Sequence, residues 1–202
     1  MARNILPLYT PHYYPTGEES ARIHTNRGVI CVELFGRETP ITVGNFIELT
    51  GRGFYHNLKF HAHKPGSVIV SGCPKTRPLG PAQVAAAARG VLRGVHPGTG
   101  NARYTISEEW ETNARNHHLD GSLVLAHGSD PNSGSSQFYF SLAEQPEFDD
   151  KFTVFGQVIE GLSVVHSLVI GDVIESIEVE RADEAALASA LAQKPPKPQS
   201  LS

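Results

Sequence analysis

The chain has 202 residues, 40% apolar and 19% charged, which suits one globular domain with a full core and some additions. A net charge of −4 and a pI near 6.2 argue against nucleic acid as the main partner, because phosphate contacts need clustered Lys and Arg. No apolar run nears the ~20 residues that span a membrane. The first seven residues lack the apolar core of a signal peptide, so the sequence reads as cytoplasmic, with no membrane partner.

Residues 1–20 are rich in Pro and Tyr without a clear period. They are read as an N-terminal extension, either packed on the domain or partly mobile. Residues 21–26 and 29–35 are predicted strands, with Asn26-Arg27-Gly28 as their hairpin turn. The second strand is apolar at most positions, as for a barrel strand covered on its outer face. Cys31 within it is read as a buried small hydrophobe. With Cys73 it makes two cysteines, which give no disulfide framework. Thr39-Pro40 opens a helix, Thr as N-cap and Pro in the first turn. Val43, Phe46, Ile47 and Leu49 fall on one face, and Gly51 and Gly53 stop the helix.

Residues 58–63 and 68–71 are the next predicted strands, bent at Pro65-Gly66. An alanine-rich insert follows at about 78–93, with prolines at its start and Arg89 and Arg93 at its C-terminal end, all helix signals. Strands resume at 122–127, 137–141 and 153–158. A second helix over 160–169 turns Val164, Val165, Leu168 and Val169 to the core, and a strand over 172–181 completes the sheet. The C-terminal tail, 182–202, holds a short Ala/Leu helix near 183–193. Its Pro-rich segment 194–198 is read as extended, leaving the tail partly disordered. Many short strands, two distant helices and glycine-rich turns imply a mainly β protein, a barrel capped by helices. Pattern alone does not name the topology.

Two stretches carry the chemistry. One is Gly134-Ser135-Ser136-Gln137-Phe138-Tyr139-Phe140, followed by Phe148-Asp149-Asp150-Lys151-Phe152-Thr153-Val154-Phe155-Gly156; the other is Phe60-His61-Ala62-His63-Lys64-Pro65-Gly66-Ser67-Val68-Ile69-Val70. Together they resemble the signature of the cyclophilins, the peptidyl-prolyl cis/trans isomerases. The resemblance covers residues 21–181 and implies a closed eight-stranded antiparallel β-barrel capped by two helices, with the insert as an addition. It also implies a groove on the outer surface for proline-containing peptides, with no cofactor and no metal, and a monomer.

An Xaa-Pro bond rotates slowly because its C–N bond is partly double. A catalyst grips the proline ring in an apolar pocket and offers a hydrogen bond to the deconjugated amide. The resemblance places His61, Ala62, Val68, Val70, Ala126, His127, Gln137, Tyr139, Phe148 and Phe152 along the substrate. Residues two apart on a strand share a face, so Gln137 and Tyr139 line the groove while Phe138 points inward.

The family's arginine is Ala62 here, and its supporting glutamine is Val70. Ala62 has no side-chain donor. His127 and Gln137 are the candidate replacements, with a hydrogen-bonded surface histidine as the alternative for His127. Ser67 makes the pocket less apolar, and Glu108 or Glu109 stands at the family's acidic position. The expected activity is peptidyl-prolyl isomerisation in protein folding at a reduced rate, with weak cyclosporin binding. The alternative is a binding module that kept the groove and lost turnover. Ten histidines, including His61, His63 and the His117-His118 doublet, raise the question of a metal. His61 and His63 share a strand face, but no third ligand and no metal-binding spacing accompany them.

Overall fold

The computed structural model describes residues 4–92 and 94–200. In chain order the strands and helices are β1 (Asn4–Ile5), β2 (Ser20–Thr25), β3 (Gly28–Leu34), α1 (Pro40–Gly51), β4 (Leu58–Lys59), β5 (Ala62–Lys64), β6 (Val68–Ser71) and α2 (Pro81–Ala88). They continue with β7 (Ser122–Leu125), β8 (Phe138–Ser141), β9 (Val154–Glu160), α3 (Leu162–Ser167), β10 (Val173–Glu180), α4 (Glu184–Ala192) and β11 (Gln199–Ser200). The hairpin β2–β3 turns at Asn26-Arg27, and Gly28 takes a φ of 138° there. Along β3, Ile30, Val32 and Leu34 are buried while Val29 is exposed. The strand therefore alternates instead of being covered on both faces. Cys31 falls on its outer side, half-buried and unbridged.

The main sheet has nine strands in the order β4-β10-β2-β3-β9-β7-β8-β6-β5, all antiparallel. This corrects the expected closed eight-stranded barrel. The strand expected over 58–63 divides at Phe60-His61. Its first half pairs with β10 and its second half with β6, so the two edges of the curled sheet are consecutive pieces of one segment. Phe60 donates its amide to Asp172 O at 2.9 Å, whereas the next amide, of His61, donates to Val70 O at 2.9 Å. The partner changes within one residue while the apolar pattern runs on, which is why the pattern reads as one strand.

Inside the curl, Phe46 of α1 packs against Tyr55, Phe138 and Phe155, with ring centroids 5.2, 6.0 and 5.5 Å away. Helix α1 is buried on nearly every side. Its inner face meets the sheet, and its outer face is covered by residues 9–13 and by α4. Glu48 anchors the first cover. Its carboxylate accepts from Tyr9 Oη at 2.6 Å and from the amides of His12 and Tyr13 at 2.6 and 2.9 Å. Gly44 allows the close approach, since a Cβ there would lie 2.5 Å from Tyr13 O. Arg52 anchors the second cover through the last carbonyls of α4, Ala190 O and Leu191 O. β1 and β11 pair with each other, so the tail returns to the N-terminal segment.

Thr39 does not cap α1 through its side chain, which donates to Phe35 O instead. The open amides of Ile41 and Thr42 go to the Glu109 carboxylate at 2.9 and 2.8 Å, a cap supplied from 67 and 68 residues away. The insert forms a helix only over α2, with Val84 its buried residue, and Arg93 lies outside the described residues. Helix α3 ends at Ser167, short of the expected 169; Val165 within it and Leu168 just after it are buried, whereas Val169 is exposed.

Candidate active site

Cross-strand register builds the site. Ala62 stands opposite Val70, Val70 opposite Tyr139, Tyr139 opposite Val124 and Val124 opposite Val154. Opposed residues in antiparallel pairs share a face, so these five form one row on the outer side of the sheet. Phe138 and Phe140, one residue either way, enter the main core. The row belongs to a second apolar cluster of Phe35, Val124, Tyr139 and Val154, against which Val68, Val70, Ala126 and Phe152 pack half-buried. Phe152 meets Tyr139 edge-on at 6.0 Å and Phe148 edge-on at 5.7 Å. Phe148 comes from a single 3₁₀ turn, 146–148, started by Pro146. Val68, Val70, Ala126, Tyr139 and Phe152 thus share one apolar cluster, with Phe148 packed on Phe152 and Ala62 exposed beside Val70.

His127 and Gln137 lie nearby, and both are engaged. The His127 ring sits 4.4 Å from Phe152. Its Nδ1 faces Gly128 O at 2.7 Å, and its Nε2 faces Lys151 O at 2.8 Å, with Glu108 Oε1 at 3.6 Å. Gln137 spends both hydrogens of its amide on Gly98 O and Gly100 O, at 2.7 and 2.8 Å. Neither side chain holds a spare N–H toward the row. They line a polar cleft of 260 Å³, with Ala126, Ser135 and the turn 98–100. Of the two acidic candidates, Glu108 stands beside His127, and burial raises its carboxyl; Glu109 is the α1 cap.

His61 is 5% exposed and faces inward beside Gly98. Burial holds its imidazole down, to about 4, so it is neutral at pH 7. It lies one residue before β5 and lines one cleft together with His63. Among the described residues no three His, Cys, Asp or Glu side chains gather as metal ligands. Ser67 is also buried. It donates its hydroxyl to Gln145 Oε1 at 2.5 Å, and Gln145 Nε2 donates back to Ser67 O at 2.8 Å. Its polarity is satisfied inside the turn rather than presented to a ligand.

Sequence reasoning missed the groups beside the apolar cluster. Tyr139 Oη meets His118 Nε2 at 3.0 Å, and His118 Nδ1 meets Asp149 Oδ1 at 2.8 Å. The same carboxylate oxygen accepts the His118 amide at 2.7 Å, and its other oxygen lies 3.3 Å from His117 Nδ1. Burial pushes the Asp149 carboxyl up, but the bonds from His118 and His117 outweigh it and the net shift is downward. Burial lowers the His118 imidazole, which its bonds to Asp149 only partly offset. With Asp149 ionised, His118 donates from Nδ1 and accepts the Tyr139 hydroxyl at Nε2. One signal was available: a tyrosine at a buried aromatic position needs a partner for its hydroxyl, and the His117-His118 doublet drew notice only as a metal candidate.

Residues 20–186 match the family described as cyclophilin type peptidyl-prolyl cis-trans isomerase/CLD. The chain belongs to the cyclophilin family. A peptidyl-prolyl cis-trans isomerase of Helicobacter pylori is 36% identical over 159 residues, which cover 78% of this chain and 84% of that protein. Peptidyl-prolyl cis-trans isomerase B of Bacillus subtilis is 35% identical over 148 residues, 73% of this cyclophilin and 88% of its relative. A solved cyclophilin of Cryptosporidium parvum, studied in the presence of the dipeptide Ala-Pro, superimposes with a TM-score of 0.61 at 24% identity. It covers 80% of this chain and 98% of the other, a likeness of fold. Among the described residues no helix is long and apolar enough to cross a membrane.

Proposed function

We propose that this cyclophilin binds proline-containing segments in a groove around Tyr139, Phe148 and Phe152, and isomerises their Xaa-Pro bonds far more slowly than relatives that carry the arginine. The observation that carries the reading is the state of the donors. Ala62 stands where the resemblance puts the guanidinium, and the two candidate replacements, His127 and Gln137, are committed to backbone carbonyls. Removing one preorganised donor from an active site costs about 10²–10³-fold in rate. What remains is the apolar grip on the ring, which supports binding more than turnover. The Ala-Pro dipeptide with the solved relative supports the same class of ligand here. Cyclosporin binds weakly on this reading, because Ala62 and Val70 alter one wall of the groove.

Two-dimensional NMR exchange on an Ala-Pro peptide, with wild type and Ala62→Arg side by side, tests this. Weak wild-type exchange that rises in the variant is the expected result. Peptide shifts without wild-type exchange make the protein a binding module. Wild-type exchange at the rate of an arginine-bearing cyclophilin overturns the reading.

A further inference from the structure

We propose that His118 is a positioning residue for the proline pocket, tying its floor to its lip. The inference rests on the reading of the groove given above. Four observations carry it. His118 has no exposed side-chain surface, yet it is polar and lies against the aromatic rings of Tyr139 and Phe148. Its Nε2 holds the hydroxyl of Tyr139, the floor. Its Nδ1 and amide both hold Asp149, the residue next to Phe148 of the lip. Its carbonyl accepts the Gln145 amide at 2.8 Å, and Gln145 is locked to Ser67, next to Val68 on the third wall. The ring also stacks on Tyr139 at 6.2 Å and meets Phe148 edge-on at 5.9 Å.

One side chain thus ties Tyr139 to Asp149, and the backbone of the same residue holds Gln145. A phenylalanine floor would be held by packing alone. Here a directed hydrogen bond stops the Tyr139 ring from tilting, and Phe148 cannot swing without disturbing Asp149. A pocket held in shape before the ligand arrives loses less entropy on binding. The charged and titratable groups around His118 are Asp149, His117, Glu147 and Tyr139, and none competes for Nε2.

Two variants test it, with Kd for an Ala-Pro peptide by NMR titration and folding checked by urea unfolding. Tyr139→Phe keeps the ring and cuts the tie; Kd rises about 3- to 10-fold, the worth of one hydrogen bond. His118→Ala removes both ring bonds and leaves only the backbone amide on Asp149, and Kd rises further. A ¹⁵N-resolved spectrum of the wild-type imidazole gives a readout that a merely structural histidine would not move. The His118 Nε2 resonance shifts on saturation with peptide and again in Tyr139→Phe. If both variants bind within twofold of wild type while peptide shifts still fall on Val68, Tyr139 and Phe152, the positioning role is wrong and the groove stands. If the wild-type peptide shifts fall elsewhere, the groove reading fails and the positioning role with it.

Discussion

On one side of the proposed groove Ala62 and Val70 face each other across β5 and β6 with only methyl groups. On the other, Tyr139, His118 and Asp149 form a chain of hydrogen bonds beneath three aromatic rings. The first wall has no group that can stabilise a twisted amide. The second is organised to the point of holding its own floor in place. On the proposed reading, grip and chemistry are separable: they sit on different strands, and one can erode while the other is elaborated.

The largest effect should come from rebuilding the bare wall. Ala62→Arg with Val70→Gln supplies a guanidinium and a polar partner opposite it. Turnover on an Ala-Pro peptide should rise about 10²–10³-fold by NMR exchange. A double variant no faster than wild type would mean that the aromatic wall is not a substrate site. Acid should act next. His61 is held at about 4 by burial, against an ordinary value of about 6.5. Its contribution is complete above pH 6.5 and is lost as pH falls toward 4, because only the unfolded chain takes up the proton in that window. The loss is about 3 kcal/mol, read from urea midpoints. His118 adds in the same direction, since its imidazole is also lowered. His61→Asn should flatten the profile, and an unchanged slope would refute the assignment.

Smaller effects separate binding from architecture. Gln137→Ala frees Gly98 O and Gly100 O, and peptide affinity should fall about tenfold as the 98–100 turn loosens. A faster exchange rate in that variant would show the turn to be an obstruction instead. Ser67→Ala should cost about 1 kcal/mol of stability and raise the peptide Kd by about twofold or less, because Gln145 Nε2 still donates to the carbonyl of residue 67. A gain in affinity would return Ser67 to the pocket.

Alternation and turn residues made most strands legible in the sequence. The break at Phe60-His61 was not, because side-chain pattern records which face is buried and not which neighbour supplies the backbone bonds. For the same reason Thr39 read as a cap, although the helix takes its cap from Glu109. Strand parity around Phe138 put Tyr139 on the outer face, where the register places it; the other apolar candidates came from the resemblance. The engagement of His127 and Gln137 did not, since their partners are carbonyls of Gly98, Gly100, Gly128 and Lys151, and every residue type has a carbonyl. His118 could have been found by asking what a buried Tyr139 hydroxyl bonds to.

The pairing of β2 with β10 sets an order of events during synthesis. Ser20 lies opposite Glu180, 160 residues later. At typical elongation rates of 5–20 residues per second, β2 waits about 10–30 s for that partner. Through that interval its outer edge has β3 on one side and bare amides and carbonyls on the other, an invitation to foreign strands. A nascent chain halted before Val173 should therefore aggregate or recruit chaperones, and release should come only when β10 emerges. On this account the chain needs shelter until β10 is made, long after β2 and β3 have paired.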